Sequence, residues 1–279
     1  MRRAALAFAF ALCALPAASQ APSQPQPTDA PPATAPAPID NSAFVTTAHE
    51  PKEIAWSFDG PFGTYDRAAL RRGFQVFRDV CSACHSLKLL SYRHLGDEGG
   101  PEFSAEEVKA IAAGYQVPDV DDIGEPAMRP ATPLDHFVPP QPNEKAQRAA
   151  NNGALPPDLS VIVKAREGGA NYLYSLLTGF AEEPPTGFGV GQGLYYNPYF
   201  EGWQIAMAPP LTDGQVTYDD GTTATVDQMA RDAVQFLAWA AEPKMEARKS
   251  LGFKIVLFLI AFATLLYFVK RKVWHGVDH

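Results

Sequence analysis

The sequence predicts a mainly α-helical globular domain with long loops and a small β hairpin, followed by one transmembrane helix near the C-terminus. Three observations lead to this prediction. Two segments, near residues 70 and 233, combine helix-capping residues with apolar side chains at helical spacing. The chain between them is rich in proline and glycine, which favours loops. An apolar run at residues 251–269 is long enough to cross a bilayer.

The N-terminus has the composition of a secretory signal peptide, which we place at residues 1–21. Arg2 and Arg3 precede an apolar stretch that is too short to span a bilayer, and small residues follow it. Cys13 lies within this stretch and is expected to be removed with it. Residues 22–39 are rich in proline and alanine, so they are expected to form an extended spacer without a core.

The first helix of the domain is predicted to begin at Thr64 or Asp66, either of which can cap its N-terminus. Because glycine has no side chain, Gly73 in this helix is expected to let a second helix approach closely. Gly73 lies on the predicted buried face, whose members are spaced as on one side of a helix: Leu70, Gly73, Phe74 and Phe77.

The last helix of the domain is predicted to begin with a capping box formed by Thr225 and Gln228 and to end near Pro243. Its apolar stripe consists of Met229, Ala233, Phe236, Leu237 and Ala240.

Two further elements are predicted between these helices. A helical region at residues 159–178 is expected to be interrupted at Gly168 and Gly169. The β hairpin is placed at residues 215–224, where Val216 and Tyr218 alternate with polar residues ahead of an Asp-Gly turn. Residues 40–250 are of the size expected for a single domain.

The apolar run at residues 251–269 is interpreted as a membrane anchor, with a buried core helix as the alternative. Lys254 lies near its start, where a long side chain can reach the interface. Three basic residues follow it at 270–272, so the tail at 270–279 is expected in the cytoplasm and the domain at 40–250 in the periplasm of a bacterium, on its inner membrane. Arg248 and Lys249 precede the apolar run and reduce the difference in positive charge between its two ends.

Residues 81–85 form a CxxCH motif, Cys81-Ser-Ala-Cys84-His85. This spacing is typical of covalent haem attachment, in which the two thiols form thioethers and the histidine binds the iron. A zinc site would require a second ligand pair, and a redox dithiol would be expected after a strand. Neither context is present in the sequence. The motif therefore predicts one covalently bound haem c.

The second axial ligand of the iron decides between electron transfer and ligand binding. Met229 and Met245 lie on predicted helices, where methionine usually fills gaps in the core. Met128 and Met207 lie in proline-rich loops, and Met207 is closer to the last helix. We therefore expect Met207 to be the sixth ligand, with Met128 and a second histidine as alternatives.

Several longer motifs surround this site: VCSACHSL at 80–87, ANNGALPPDLS at 150–160, REGGANY at 166–172, GLYYNPYF at 193–200, MAPP at 207–210 and WAAEP at 239–243. Together they resemble the cytochrome c1 family, the haem subunits of the ubiquinol–cytochrome c oxidoreductase (cytochrome bc1) complex. This resemblance extends from about residue 54 to residue 272 and implies a c-type cytochrome core.

The resemblance also implies roles for individual residues. Thioether bonds are implied at Cys81 and Cys84, and iron ligation by His85 and Met207. The residues implied to line the haem pocket are Asn151, Pro157, Arg166, Tyr172, Phe200 and Ile205. Some bacterial relatives carry an additional cysteine pair near the methionine ligand. This chain has none, so packing and the two prolines after Met207 must position that residue.

The resemblance implies an electron-transfer subunit of a respiratory or photosynthetic cytochrome bc1 complex, within a quinol–cytochrome c reductase. The chain would take electrons from a Rieske iron–sulfur protein, assemble with cytochrome b, and reduce a soluble cytochrome c. The formal net charge of −8 agrees with a basic protein partner and excludes a nucleic-acid partner. The alternative is a membrane-anchored haem enzyme or gas sensor with a labile sixth ligand.

Overall fold

Two helices that cross in the interior organise the fold, α1 (Arg67–Asp79) and α5 (Val226–Ala241). The structure is a computed structural model that describes residues 39–276. The predicted signal peptide and nearly all of the predicted spacer therefore lie outside the described residues. The other helices are α2 (Ala105–Ala113), α3 (Glu144–Ala150), α4 (Gly169–Thr178) and α6 (Met245–Val273).

Both crossing helices begin at residues with side chains that cap them. The Asp66 carboxylate accepts hydrogen bonds from the backbone N–H groups of Ala68 and Ala69, at 2.9 and 3.2 Å. The Thr225 hydroxyl accepts from the Gln228 N–H at 3.1 Å. The predicted starts of both helices are thus confirmed, as is the end of α5 just before Pro243.

Gly73 is the point of closest approach between α1 and α5. A Cβ atom placed on Gly73 would lie 2.0 Å from the Asp232 carbonyl oxygen and 2.7 Å from the Phe236 Cβ. Beside this contact, Arg72 of α1 makes two hydrogen bonds to the buried Asp232 carboxylate, at 2.9 and 3.0 Å. The close helix approach predicted from the glycine is confirmed, and a buried ion pair reinforces it.

The structure contains a small antiparallel β hairpin, but the predicted position of this hairpin is wrong. Its strands are β1 (Gln116–Val120) and β2 (Pro126–Pro130), with Pro118 opposite Met128. Residues 215–224 have no strand, although Val216 and Tyr218 are both buried. Their alternation reflects one-sided burial of an extended loop without a pairing strand. A second, shorter pair joins β3 (Tyr195–Tyr196) to β4 (Gln204–Ile205).

The helical region predicted at residues 159–178 is confirmed only in its second half. α4 begins at Gly169, after Gly168 with a positive φ of 77°. Residues 160–166 form turns instead of a helix. The reason lies in the preceding residues, because the Asp158 carboxylate and the Ser160 hydroxyl both accept hydrogen bonds from backbone N–H groups. The bond from the Ser160 N–H to Asp158 is local and competes with helix formation, and the other two tie the segment to residues 88 and 89.

Among residues 39–276, α6 is the one helix that is long and apolar enough to cross a membrane. It has 29 residues and extends beyond the predicted anchor at both ends. The most apolar part of the helix is not buried against the rest of the chain. At its start, Glu246 makes two hydrogen bonds with Arg67, at 2.7 and 2.8 Å, and accepts one from the Tyr65 N–H. These bonds fix the helix to the domain.

The Glu246–Arg67 pair should make the stability of the protein depend on pH in acid. The hydrogen bond from Arg67 lowers the pKa of Glu246 below its ordinary value, against the opposing effect of burial. The stabilisation is therefore complete above about pH 4.3, the ordinary glutamate value, and is lost as the pH falls through the lower pKa of the folded state. Thermal unfolding of the full-length chain in detergent at pH 7 and about pH 3.5 measures this loss. The E246Q variant should lose less stability over that interval, and an unchanged loss would contradict the assignment.

Candidate functional site

The CxxCH motif follows directly from the C-terminal end of α1. Residues Cys81–Ala83 form a single 3₁₀ turn, and the N–H groups of Cys84 and His85 both donate to the Cys81 carbonyl, at 3.1 and 2.9 Å. Burial, together with the charge of Cys84, raises the pKa of the Cys81 thiol to about 12. This thiol is therefore protonated at pH 7. Within residues 39–276, no cluster of three or more His, Cys, Asp or Glu side chains is arranged to bind a metal ion.

The His85 ring is oriented by the backbone carbonyl of Pro157. The distance from His85 Nδ1 to this oxygen is 2.8 Å. A carbonyl oxygen can only accept, so Nδ1 carries the proton and Nε2 keeps its lone pair. Burial lowers the pKa of His85, against weaker opposing effects of Pro157 and Asp158, so the ring is neutral at pH 7. A neutral imidazole held in this tautomer is prepared to bind a metal through Nε2.

Asp158 fixes the segment that follows His85, a role that was not predicted from the sequence. Its carboxylate accepts hydrogen bonds from the Ser86 hydroxyl and the Lys88 N–H, both at 2.8 Å, and from the Ser160 N–H at 2.9 Å. The Leu159 N–H also donates to the Ser86 carbonyl. Pro157 and Asp158 therefore hold both His85 and the residues after it. An Asp after two prolines is typical of a turn, and this signal could have identified the residue.

Replacing Asp158 with alanine should destabilise the protein by roughly 2–4 kcal/mol, because three donors lose their acceptor. Chemical denaturation of the full-length chain measures this change. Asp213 provides a matched control, since its carboxylate accepts one backbone hydrogen bond, from Val226, elsewhere in the structure. A loss in D158A no larger than that in D213A would show that Asp158 does not hold the His85 segment.

Another predicted pocket residue, Asn151, is joined to the CxxCH turn through the side chain of Gln147. The Gln147 side chain of α3 donates to the Cys84 carbonyl at 2.6 Å, and the Asn151 side chain donates to the Gln147 carbonyl at 2.7 Å. Gln147 is buried, so this chain of bonds joins the end of α3 to the CxxCH turn. Asn151 therefore belongs to the same group of contacts as Cys84 and His85. Gln147 itself was not identified from the sequence.

Arg166 and Tyr172 form a second group beside the start of α4. Burial raises the pKa of the Tyr172 hydroxyl, and the nearby Arg166 charge opposes this increase. Arg166 is exposed and donates to the Ala165 carbonyl at 2.9 Å. It lies in the turns before the helix, so its guanidinium remains available to an anionic group such as a propionate.

The remaining predicted pocket residues lie along one segment around β4. Phe200 precedes it, Ile205 is its last residue, and Met207 follows two positions later; all three are half-buried. The other methionines differ from Met207 in how far they are exposed to solvent. Met229 and Met245 are buried in the core as predicted, and Met128 is 60% exposed on β2. The half-buried position of Met207 is the more suitable for a ligand inside a haem pocket.

The residues present fit a haem group. The donor set combines two cysteines in one turn, an imidazole with a free Nε2 and a half-buried thioether.

Comparison with known proteins identifies the family. The sequence model of the cytochrome c1 family matches residues 56–277. The chain belongs to the cytochrome c1 family. A mitochondrial relative from Saccharomyces cerevisiae, named cytochrome c1, heme protein, is 50% identical over 80% of the chain and 72% of its own length. A Candida albicans relative, named cytochrome b-c1 complex catalytic subunit, is 48% identical over 82% of the chain and 79% of its own length.

A third relative is longer than this chain. The protein named cytochrome b/c1 from Bradyrhizobium diazoefficiens is 48% identical over 81% of the chain. The matched part covers only 36% of that relative's own length. Membership of the cytochrome c1 family confirms the predicted fold class and the electron-transfer role in a bc1 complex. It supports a haem cofactor and attachment of the chain to a membrane complex through its apolar helix. The alternative of a gas sensor or tethered haem enzyme is not favoured.

Proposed function

We propose that this chain is the haem c subunit of a cytochrome bc1 complex, which accepts electrons from a Rieske iron–sulfur protein and donates them to a soluble cytochrome c. The observation that carries this proposal is the CxxCH turn at the end of α1, with His85 Nδ1 bonded to the Pro157 carbonyl. The chain is a one-electron relay within a quinol–cytochrome c reductase, and the quinol chemistry belongs to its partner subunits.

Cys81 and Cys84 would hold the haem by thioether bonds, and His85 and Met207 would bind its iron. When bound, the haem supplies reversible one-electron oxidation and reduction. The protein contributes the orientation of the ligands. The Pro157 carbonyl fixes the His85 tautomer, and a thioether from Met207 favours a high reduction potential. The proposed pocket is completed by Asn151, Pro157, Arg166, Tyr172, Phe200 and Ile205.

The compartments and partners follow from the ends and the charge of the chain. A signal peptide at 1–21 and a spacer at 22–39 would place the domain at 40–250 in the periplasm of a bacterium. The anchor at 251–269 would cross the inner membrane and leave the tail at 270–279 in the cytoplasm. Cytochrome b and the Rieske protein are the proposed membrane partners, and the acidic surface would attract a basic cytochrome c.

Purification of the full-length chain from its membrane tests this proposal. Detergent extraction should yield a complex that contains cytochrome b and a Rieske protein and that reduces soluble cytochrome c when quinol is added. Mass spectrometry should find haem still attached to the peptide with Cys81 and Cys84 after denaturation. Release of the haem on denaturation would contradict covalent attachment, and purification without the two partners would contradict the bc1 assignment.

A further inference from the structure

Residues 41–49 form an extended segment, here called the N-terminal strap, that lies against residues 188–203. The strap has no helix or strand beyond a turn at its start. It precedes residue 56, where the match to the cytochrome c1 family begins. The segment that it contacts leads directly into β4 and Met207.

Hydrogen bonds attach the strap at five places along its length. The Asn41 side chain pairs with Gly189, donating to its carbonyl and accepting from its N–H, both at 2.9 Å. The other four bonds involve strap backbone: Gly202 N–H to the Thr46 carbonyl at 3.0 Å, Trp203 Nε1–H to the Thr47 carbonyl at 2.9 Å, Ala48 N–H to the Glu201 carboxylate at 3.3 Å, and His49 N–H to the Pro198 carbonyl at 2.8 Å.

Aromatic rings add contacts between the same two segments. Phe44 of the strap meets the buried Phe188 edge to face, with ring centres 5.4 Å apart. His49 meets Trp203 in the same way, also at 5.4 Å. Phe188 and Trp203 lie 5.7 Å apart, so the strap rings and the loop rings form one cluster. Contacts of this kind each contribute beyond the area they bury.

The strap contacts the one non-glycine residue among residues 188–203 that has a positive φ, which is Trp203. Gly202 and Trp203 have positive φ values of 79° and 57°. This conformation is costly for a bulky residue such as tryptophan and persists only where its surroundings hold it. Bonds from the strap hold both residues, at Thr46 and Thr47. β4 begins at the next residue, and Met207 follows shortly after.

We propose that the N-terminal strap positions Met207 as the sixth ligand by holding the Gly202–Trp203 turn in its strained conformation. This inference rests on the proposed function, in which Met207 binds the iron. A thioether is an uncharged, flexible ligand, so its loop must be held for the bond to persist. Cys81 and Cys84 are the cysteines of the described residues, and both belong to the CxxCH turn. A disulfide near Met207 would make this segment rigid. The strap therefore supplies the same rigidity through non-covalent contacts.

The N41A/F44A variant of the full-length haem protein tests this inference. It removes the Asn41–Gly189 pair and the Phe44–Phe188 contact and leaves every proposed haem-pocket residue in place. Weaker restraint of Met207 should increase the rate of carbon monoxide binding to the reduced protein about tenfold, the effect of losing one or two hydrogen bonds. The midpoint potential and the absorption of the iron–thioether bond should both decrease. The matched control is F58A, since Phe58 is also half-buried and stacks on Trp56, away from this segment.

The M207L variant separates failure of this inference from failure of the proposed function. Carbon monoxide binding that is faster than in the wild type in both M207L and N41A/F44A, with the wild-type rate in F58A, would support the inference. If M207L binds the gas and N41A/F44A behaves like F58A, the strap does not position the ligand, although Met207 remains the ligand. If M207L behaves like the wild type, both proposals are wrong.

A second variant covers the case in which N41A/F44A does not fold. W203F keeps an aromatic ring but removes the hydrogen bond to the Thr47 carbonyl. It should change the rate of carbon monoxide binding and the potential in the same direction and by a smaller factor. Wild-type values for both quantities in W203F would overturn the inference.

Discussion

Replacing Met207 with leucine should open one axial position of the haem iron. Leucine has nearly the same volume but no sulfur, so the pocket keeps its packing and loses the ligand. The reduced M207L protein should then bind carbon monoxide much faster than the wild type. The midpoint potential should fall by on the order of 0.1–0.2 V, a modest part of the roughly 0.8 V range over which axial ligands tune haem. Redox titration and absorption spectra of the purified variant measure both effects.

The M128L variant is the matched control, because Met128 is the other loop methionine considered as a ligand. Met128 is 60% exposed on β2, and its removal should leave the spectrum and the potential unchanged. The reverse result, with M128L reactive toward carbon monoxide and M207L unaffected, would assign the ligand to the hairpin and would require a different pocket.

Replacing Gly73 with alanine should destabilise the domain by at least about 3 kcal/mol, at the upper end of the usual cost of overpacking a core. The added Cβ would lie 2.0 Å from the Asp232 carbonyl oxygen, which is backbone and cannot rotate away. The two helices would have to separate, and the buried Arg72–Asp232 pair would be stretched with them. Chemical denaturation of the full-length variant measures the loss, and haem incorporation should fall with it.

Gly252 on α6 provides a matched control for this substitution. It is also a helical glycine, and a Cβ placed there would meet no atom of the chain within 4 Å. G252A should therefore be neutral or stabilising by up to about 1 kcal/mol, because alanine has the higher helix propensity. Equal losses in G73A and G252A would mean that the close approach of α1 and α5 does not limit the size of residue 73.

The helices that could be predicted from the sequence are those whose signals are local. Asp66 and Thr225 cap α1 and α5 through their own side chains, and Pro243 lies just beyond the end of α5. The apolar length of α6 is likewise a property of the segment itself. In these elements, capping and periodicity agree with the tertiary structure, which is why the predictions hold.

The elements that were predicted wrongly depend on contacts between distant residues. Val216 and Tyr218 alternate as in a strand, but no second strand lies beside them. The observed hairpin contains three prolines, at 118, 126 and 130, which argue against a strand in sequence-based prediction. Arg129 stabilises it by bonding to Asp119 of the same hairpin and to Asp135 beyond it. A single sequence does not reveal that network.

In the candidate site, too, the local signals could be predicted from the sequence and the contacts between distant residues could not. The CxxCH motif indicates Cys81, Cys84 and His85 as the proposed haem-attachment residues, because this spacing is typical of that chemistry. The residues that orient them act through backbone atoms or across long separations. Pro157 orients His85 through its carbonyl oxygen, and Gln147 reaches the Cys84 carbonyl from α3. Only the folded structure brings such partners together.

The most direct test of the central claim is exposure of the reduced full-length protein to carbon monoxide, followed by absorption spectroscopy. His85 and Met207 are proposed to occupy both axial positions of a covalently attached haem. The spectrum should therefore remain that of a six-coordinate, low-spin haem c, with no rapid change on addition of the gas. Rapid formation of a carbon monoxide complex by the native protein, or a protein without haem absorption, would contradict its assignment as an electron relay.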